Sequence, residues 1–393
     1  MSTQDLSPKE HRAADMDAEV AVIGAGPIGL EVAGACTRLG ISAVLFDAGQ
    51  VAQTIYDWPE ETRYFSSPER MAVAGIPMQS THQQLGSREE YLAYLRSVVE
   101  ILDLDVHVYE RVVSVVSGGE PAAGGEGFLL RTERTLNPGA TASYRVKKVV
   151  VATGDMAVPH SLGIPGEELP HVSHYFDHPH RYFRQRLLVV GGRNSAIEAA
   201  IRAWRAGAAV GLSYRRDALD IDHIYSRLHL EINLLIRKGG IDFYPETQPV
   251  EIRPGETVLA KVESGESGES GQDRRVFEIT EDRRTVPTDF VYLATGYEAD
   301  TRVLRAAGVA FDGDGRAPIY NGETMETSVP GIYLAGTAVG GNTAGYKVFV
   351  GTCHDQAVKI LSHAFGIDDV ERIITGTVRS RNYPFSRKDI EPE

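Results

Sequence analysis

Cysteine is scarce in this sequence of 393 residues, which contains only Cys36 and Cys353 and no C-x-x-C motif. Two cysteines so far apart exclude a disulfide framework and a cysteine-based zinc site, and they favour a reducing, cytoplasmic setting. Long apolar runs are also missing, since none approaches the ~20 residues that a membrane helix needs. The polar N-terminal residues lack a signal-peptide core, so we predict a disordered tail over 1–17 and no membrane partner.

Basic residues are fewer than acidic ones, 40 against 54, which gives a net charge of −14. This balance argues against nucleic acid and anionic lipid as partners. Hydrophobic residues make up 42% of the chain and charged residues 24%, as in an ordinary globular protein. At ~100–200 residues per domain, the length predicts two or three domains.

A unit of strand, glycine turn, helix and strand at residues 19–47 recurs at residues 187–215. Short β-branched runs alternate with helical stretches elsewhere, which predicts an α/β fold with parallel sheets. The repeat predicts two Rossmann-like dinucleotide-binding domains. Outside the repeat we predict strands at 106–116, 148–152, 291–294 and 332–335, helices at 88–102 and 348–365, a flexible turn at 117–127, and a low-complexity loop at 264–273 that forms the tip of a hairpin.

The first glycine turn reads AVIGAGPIGLEVAGA, in which Gly24, Gly26 and Gly29 fill the G-x-G-x-x-G template and Pro27 opens the helix. The three glycines permit a tight turn, a close approach of the backbone to a pyrophosphate, and close helix–strand packing. Asp47 ends the next strand, where a carboxylate accepts hydrogen bonds from an adenosine ribose. Because that charge repels a 2′-phosphate, this site suits FAD or NAD rather than NADP.

The second glycine turn reads LLVVGGRNSAIEAA, and Arg193 replaces the middle glycine of the template. A side chain there must either point away from a pyrophosphate or clasp it. The next strand ends in Arg215 and Arg216 with no acid at the ribose position, and two guanidiniums suit a 2′-phosphate. We therefore predict NADPH, bound by Gly191, Gly192, Asn194, Ser195, Ala196, Arg215 and Arg216.

Three further strand–turn units carry a small residue and a glycine that let the chain pass a cofactor: VVVATGD (149–155), VYLATGY (291–297) and GIYLAGTAVGG (331–341). We assign Thr153, Gly154, Gly336 and Thr337 to the FAD site, and Thr295 and Gly296 to the NADPH site.

With both glycine turns in hand, residues 18–365 resemble the thioredoxin-reductase-like flavoproteins, and within them the bacillithiol-disulfide reductase group. The segments that carry this resemblance are 55–78, 87–100, 168–183, 191–200 and 340–350. It implies a fold of three-layer β/β/α type, in which an NADPH domain is inserted into an FAD domain. It also implies that the chain forms a homo-oligomer. The implied boundaries are 18–155 and 288–372 for the FAD domain, 156–287 for the NADPH domain, and a tail over 373–393.

The resemblance also implies roles for single residues. Asp57, just before Trp58-Pro59, corresponds to a residue that contacts flavin. Gly336 corresponds to a glycine near the ribityl phosphate, usually followed by aspartate, whereas this chain has Thr337, whose hydroxyl can still form a hydrogen bond. Lys347 and its helix N-terminus would face the flavin and stabilise negative charge on the reduced ring.

This chain departs from the family pattern at its thiols. Thioredoxin reductases use a C-x-x-C pair, and its absence excludes dithiol relay to thioredoxin. Many members of the bacillithiol group have a cysteine where this chain has Ile28, which excludes a thiol mechanism at that position. We interpret Cys36 as core. Cys353, beside His354, is either a structural cysteine or the remaining candidate for a catalytic thiol.

Four histidines, His171, His174, His178 and His180, lie in the segment that enters the NADPH domain, and their loose spacing predicts no bound metal. The predicted activity is hydride transfer from NADPH to FAD, then reduction of a low-molecular-weight disulfide such as bacillithiol disulfide. Alternatives are reduction of a small redox protein such as ferredoxin or flavodoxin, flavin monooxygenation, and a flavin-based redox sensor.

Overall fold

The computed structural model describes residues 17–80, 85–118, 127–264, 277–312, 316–342 and 350–371. Residues 1–16 of the predicted N-terminal tail, the tail predicted at 373–393, Lys347, and most of the loops predicted at 117–127 and 264–273 lie outside these ranges.

The chain divides into two compact units. Unit 1 contains the residues up to Tyr56, Glu61–Val158, and the residues from Glu298 onward. Unit 2 contains Asp57–Glu60 and Pro159–Tyr297.

The elements follow one another in a largely alternating order. The strands are β1 Ala18–Ile23, β2 Ala43–Phe46, β3 Asp105–His107, β4 Glu110–Ser117, β5 Phe128–Arg134, β6 Thr141–Val151, β7 Val158–Pro159, β8 Val172–Ser173, β9 Arg186–Val190, β10 Ala209–Tyr214, β11 Ile241–Pro245, β12 Thr247–Arg253, β13 Glu256–Ser264, β14 Phe277–Pro287, β15 Phe290–Leu293, β16 Tyr297–Glu298 and β17 Ile332–Leu334. The α-helices are α1 Pro27–Leu39, α2 Gln53–Tyr56, α3 Pro68–Met71, α4 Arg88–Leu102, α5 Asn194–Arg205, α6 Ser226–Arg237, α7 Arg302–Ala306 and α8 His354–Phe365.

Unit 1 is built on a seven-stranded sheet of order β3-β2-β1-β6-β5-β4, with β17 paired to β6. Strand β1 lies between β2 and β6 and is parallel to both, and β17 is also parallel to β6. Strands β4, β5 and β6 pair in antiparallel fashion. The carboxyl ends of β1, β6 and β17 therefore lie at one edge of the sheet, which is the edge where α/β proteins bind ligands.

Unit 2 has three layers. Its central sheet has the order β11-β10-β9-β15-β8, with parallel pairing throughout, and β12, β13 and β14 form a separate three-stranded sheet. Side chains of β9 alternate between two cores: Leu187 and Val189 pack with α5 and α6, whereas Leu188 and Val190 pack with residues of the three-stranded sheet. This alternation follows from the two-residue period of a strand. The predicted α/β fold with β/β/α layering is confirmed.

Two predicted elements differ from the structure. The single strand predicted at 106–116 is wrong, because Tyr109 adopts a positive φ of 53° and splits the segment into β3 and β4. The helix predicted at 348–365 begins only at His354, after a 3-10 turn at Val350–Thr352. Within the described ranges, none of the helices combines the length and apolar character that crossing a bilayer requires.

Candidate functional site

The first glycine turn joins β1 to α1 and has no room for side chains at two of its glycines. Gly24 has a φ of +109°, and a Cβ there would lie 2.4 Å from the carbonyl oxygen of Ala152. A Cβ on Gly29 would lie 1.9 Å from the carbonyl oxygen of Gly24. Both glycines are therefore required by the fold of the turn itself.

Gly26 differs from its two neighbours because its surroundings are open. It is the N-cap residue of α1, its backbone is extended, and a Cβ there would meet nothing within 4 Å among the described atoms. Pro27 occupies the first helical turn, where the missing N–H costs nothing. The open face in front of a helix N-terminus is the cradle that a pyrophosphate requires, so the turn fits a dinucleotide.

Asp47 follows β2, and hydrogen bonds from backbone N–H groups, one of them in the first glycine turn, hold its carboxylate in place. Its Oδ2 accepts the N–H of Ala25 at 2.8 Å, and its Oδ1 accepts the N–H of Gly49 at 2.8 Å. A carboxylate oxygen can accept more than one hydrogen bond, as binding to ribose hydroxyls requires. The structure thus brings the predicted acid directly beside the glycine turn.

The chain after β17 closes over the same turn. Gly336 has a φ of +70°, and a Cβ there would lie 3.4 Å from the Cβ of Ile28. The N–H of Gly336 donates to the buried Oε1 of Gln356, on α8, at 2.6 Å. Gln356 was not predicted from the sequence, because no local pattern marks a glutamine within a helix.

Thr337 lies against the turn that follows β6. Its hydroxyl donates to Oδ1 of Asp155 at 2.8 Å, and both residues are half-buried. Thr153 and Gly154 form the preceding turn, and Gly154 has a φ of +74°. Asp155 was missed as a site residue, although it directly follows the predicted Ala-Thr-Gly turn.

Neither cysteine is accessible in unit 1. Cys36 is fully buried in α1, and desolvation, with a smaller contribution from the charge of Glu19, raises the pKa of its thiol to about 12. Cys353 is also fully buried and is the N-cap residue of α8. Its neighbour His354 contacts Glu31 of α1, with 3.2 Å between Nδ1 and Oε2.

The second glycine turn, in unit 2, joins β9 to α5. Gly191 has a φ of +140°, and a Cβ there would lie 2.6 Å from the carbonyl oxygen of Ala294 and 3.1 Å from the Cβ of Ala196. A Cβ on Gly192 would lie 2.3 Å from the ring of Tyr214. Ala196 is buried and small, as the close approach of strand and helix requires.

The start of α5 differs chemically from the start of α1. Arg193 is the N-cap residue, its backbone is extended, and its side chain is exposed. Asn194 is engaged, because its Oδ1 accepts the N–H of Tyr225 at 2.9 Å, whereas Ser195 is exposed. The N-cap position of α5 therefore carries the cationic side chain of Arg193, whereas the N-cap position of α1, at Gly26, carries no side chain.

The two arginines after β10 have different surroundings. The Arg216 Nη1 lies 3.1 Å from the Oδ2 of Asp220. The guanidinium of Arg215 lies over the ring of Phe277, 4.8 Å from its centroid. Partial burial, followed by the positive charges of Arg216 and Arg193, lowers the pKa of Arg215. Three guanidiniums thus concentrate positive charge near the second turn.

Three further predicted residues, Thr295, Gly296 and Asp57, lie in unit 2. Gly296 has a φ of +96°, and the hydroxyl of Thr295 donates to the carbonyl oxygen of His160 at 2.6 Å. Asp57 lies in the same unit as Tyr175 and Tyr297; burial and then the charges of Tyr175 and Asp57 raise the pKa of Tyr297 to about 12.

The linker histidines contact acids and backbone. His174 Nε2 lies 3.2 Å from the Oε1 of Glu167, and His178 accepts the N–H of His180 at 3.2 Å. Across the residues described, no group of three or more histidines, cysteines and carboxylates is arranged to hold a metal ion.

Comparisons with known proteins agree with the interpretation of the two glycine turns as dinucleotide-binding turns. A family model described as pyridine nucleotide-disulphide oxidoreductase matches residues 21–336. The bacilliredoxin reductase Bdr of Bacillus subtilis (strain 168) is 31% identical over 329 residues, which cover 84% of this chain and 92% of that protein. A ferredoxin–NADP reductase of Ignicoccus hospitalis is 24% identical over 320 residues, which cover 80% of this chain and 88% of that protein.

The fold is likewise shared with a solved structure. The bacillithiol disulfide reductase Bdr from Bacillus cereus superposes with a TM-score of 0.76 at 29% identity, covering 91% of this chain and 99% of that chain. The resemblance inferred from the motifs is confirmed, and so is the use of a flavin and a pyridine nucleotide. This chain belongs to the pyridine nucleotide-disulphide oxidoreductase family, in the thioredoxin-reductase-like group that includes the bacillithiol disulfide reductases.

Proposed function

We propose that this protein is an NADPH-dependent FAD enzyme that reduces a low-molecular-weight disulfide such as bacillithiol disulfide. The observation that carries the cofactor assignment is a contrast between the two glycine turns. The strand after the first turn ends in a carboxylate, Asp47, and the strand after the second ends in two guanidiniums, Arg215 and Arg216.

Unit 1 suits FAD. The positive end of α1 faces the open space at Gly26, which favours a pyrophosphate. The fixed carboxylate of Asp47 accepts ribose hydroxyls and repels a 2′-phosphate. We assign to this site Gly24, Gly26, Pro27, Gly29, Asp47, Thr153, Gly154, Gly336 and Thr337, and from the family resemblance also Lys347. Asp57, for which the same resemblance implies a flavin contact, lies in unit 2.

Unit 2 suits NADPH. Forked guanidiniums bind phosphate through charge-assisted hydrogen bonds, and a 2′-phosphate distinguishes NADPH from NADH. Asp220 already holds Arg216, so Arg215 has the greater capacity for the phosphate. We assign to this site Gly191, Gly192, Asn194, Ser195, Ala196, Arg215, Arg216, Thr295 and Gly296.

The net reaction converts NADPH, a proton and a disulfide into NADP⁺ and two thiols. When bound, the nicotinamide supplies a hydride and the flavin passes the electrons onward. The protein binds the two dinucleotides in separate units and keeps both of its cysteines buried. Disulfide exchange requires an accessible thiolate, so we expect the acceptor to be reduced without Cys36 or Cys353.

The acceptor assignment is supported by the relatives. The Bacillus subtilis protein is described as a bacilliredoxin reductase, and the Bacillus cereus structure as a bacillithiol disulfide reductase. We further propose that the protein works in the cytoplasm, because its cysteine content suits a reducing compartment. We also propose that it forms a homo-oligomer, as expected from the family resemblance of the sequence.

A second candidate is an NADPH-dependent reductase of ferredoxin or flavodoxin. It is favoured by the absence of a C-x-x-C pair and by the similarity to the Ignicoccus hospitalis enzyme. Against it stands the net charge of −14, which does not attract an acidic ferredoxin.

An acceptor screen tests the proposal. The purified protein should be yellow, and its flavin absorbance should bleach with NADPH much faster than with NADH. Steady-state NADPH oxidation is then compared with bacillithiol disulfide, glutathione disulfide, ferredoxin, flavodoxin and oxygen as acceptors. Turnover with ferredoxin or flavodoxin and none with any disulfide would select the second candidate. A colourless protein that takes up no FAD would exclude both.

A further inference from the structure

The carboxyl ends of β6 and β17 place two polar residues side by side. The two strands are parallel neighbours, with Val151 opposite Leu334, so the chain leaves both at the same edge of the sheet. Asp155 follows β6 after the Ala-Thr-Gly turn, and Thr337 follows β17 after Gly336. The first glycine turn leaves the same edge, because β1 pairs with β6.

The two side chains form one hydrogen-bonded pair. The hydroxyl of Thr337 donates to Asp155 Oδ1 at 2.8 Å. Gly154 and Gly336 both have positive φ, 74° and 70°, so each polar residue follows a glycine in a left-handed conformation. A hydroxyl that gives its proton to a carboxylate becomes a stronger acceptor for a further hydrogen bond.

The pair lies next to the dinucleotide cradle. Gly336 approaches Ile28, in the first turn of α1, so closely that a Cβ would lie 3.4 Å from the Ile28 Cβ. Thr337 is the next residue, and both members of the pair are half-buried rather than fully solvated. A polar, anionic pair beside a pyrophosphate cradle suits a donor-rich neutral group, namely the hydroxyls of a polyol chain.

We propose that Asp155 acts through Thr337 to bind a hydroxyl of the ribityl chain of FAD. Thr337 accepts the ribityl O–H while it donates to Asp155, which supplies the negative charge that threonine lacks. Asp155 is thus a positioning residue of the FAD site. This inference rests on the proposed assignment of FAD to unit 1.

The test measures the dissociation constants of FAD and ADP for the flavin-free protein, together with its thermal unfolding. ADP contains the adenosine and pyrophosphate groups but no ribityl chain. Asp155→Asn and Thr337→Val should each weaken FAD binding about tenfold, equivalent to about 1.4 kcal/mol. Neither should change ADP binding more than about twofold, or about 0.4 kcal/mol.

Thr337→Asp gives the decisive comparison, because its effect on FAD binding should have opposite signs in the wild-type protein and in the Asp155→Asn protein. In the wild-type protein it places two carboxylates together and should weaken FAD binding. In the Asp155→Asn protein it restores a single carboxylate and should recover FAD affinity to within about threefold of the wild type. Glu19→Gln is the control, since it removes a carboxylate that instead pairs with Lys147 on β6.

The outcomes separate the two proposals. Wild-type protein that binds ADP and no FAD would overturn the cofactor assignment and this inference together. Tight FAD binding that Asp155→Asn and Thr337→Val leave unchanged would overturn this inference alone. Equal losses from Thr337→Asp in both backgrounds, or parallel losses of FAD and ADP binding with a lower unfolding temperature, would show that the pair only holds the two turns together.

Discussion

Arg193 occupies the N-cap of α5 as Gly26 occupies the N-cap of α1. Both residues have extended backbones, with φ and ψ of −108° and −177° at Arg193 and −76° and −179° at Gly26. A side chain at this position therefore starts in front of the helix N-terminus, in the space that the first turn keeps open. With Arg215 and Arg216 nearby, it gives the second cradle an additional cation.

Arg193→Gly should weaken NADPH binding about tenfold, because it removes one charge-assisted contact of about 1.5 kcal/mol. Glycine is well tolerated at an N-cap, so the unfolding temperature should change little. Isothermal titration with NADPH at two salt concentrations checks this, and the variant should show the weaker salt dependence. Tighter binding by the glycine variant would mean that Arg193 obstructs the pyrophosphate instead of clasping it.

Arg215→Ala should reduce NADPH affinity by about 10- to 100-fold and leave NADH affinity within about threefold, because only NADPH carries the 2′-phosphate. Arg216→Ala should have the smaller effect, since Asp220 already pairs with Arg216. Arg205→Ala is a matched control, because Arg205 lies in the last turn of α5 and pairs with Glu231. Equal losses for NADPH and NADH would contradict recognition of the 2′-phosphate.

Gly26→Ala and Gly29→Ala should separate cofactor binding from folding. At Gly26 the new methyl meets no described atom, so the flavin-free protein should fold, while FAD binding weakens at least about tenfold because the methyl occupies the pyrophosphate's approach. At Gly29 the methyl would overlap the carbonyl oxygen of Gly24, and the protein should be insoluble or unfolded. Circular dichroism and FAD titration distinguish the outcomes. Normal FAD binding by Gly26→Ala would place the pyrophosphate elsewhere.

Cys353→Ser and Cys36→Ser should each retain disulfide turnover within about twofold, because a buried thiol is a poor nucleophile. The measurement is steady-state NADPH oxidation with bacillithiol disulfide, and ferricyanide reduction reports electron transfer independently of any thiol. If Cys353→Ser lost disulfide turnover but kept ferricyanide reduction, the Cys353 thiol would have to take part in disulfide reduction.

Many residues of the candidate site could be selected from the sequence because their signals are local. Gly24, Gly26 and Gly29 are separated by a few residues, and the charges of Asp47 and Arg215 each follow their glycine turn by one helix and one strand. In such units the backbone geometry fixes the spacing, so chemistry can be inferred from position.

Contacts between distant segments could not be predicted in this way. Asp155 and Thr337 lie 182 residues apart, and only the pairing of β6 with β17 brings them together. The bounds of β14 could not be predicted beyond the hairpin tip at 264–273, because the side chains of this strand are mostly exposed and give no apolar alternation. The break at Tyr109 was missed for another reason: a positive φ at a tyrosine has no local sequence signal.

A buried ionic cluster beside Asp47 predicts how the stability of unit 1 depends on pH. Hydrogen bonds to Asp105 and then to Glu110 raise the pKa of His107 to about 9. Burial raises the pKa of Glu110, but hydrogen bonds from His107, Thr132 and Tyr144 outweigh it and hold this pKa at about 2. The carboxylate is almost fully buried, and Tyr144 donates to its Oε1 at 3.0 Å.

The two shifts have opposite signs and define a window. The stabilisation from His107 is complete below its unfolded pKa of about 6.5 and is lost as the pH rises through the folded value. The stabilisation from Glu110 is complete above about 4.3 and is lost as the pH falls through its folded value. His107→Asn should therefore lower the free energy of unfolding by on the order of 2 kcal/mol more near pH 6 than above about pH 10, where only the loss of ring packing remains. Urea unfolding followed by circular dichroism measures this, with His180→Asn, at an exposed histidine of unit 2, as the control. A destabilisation that stays constant from pH 6 to pH 10 would mean that His107 contributes packing against Phe46, with which its ring is in contact, rather than charge.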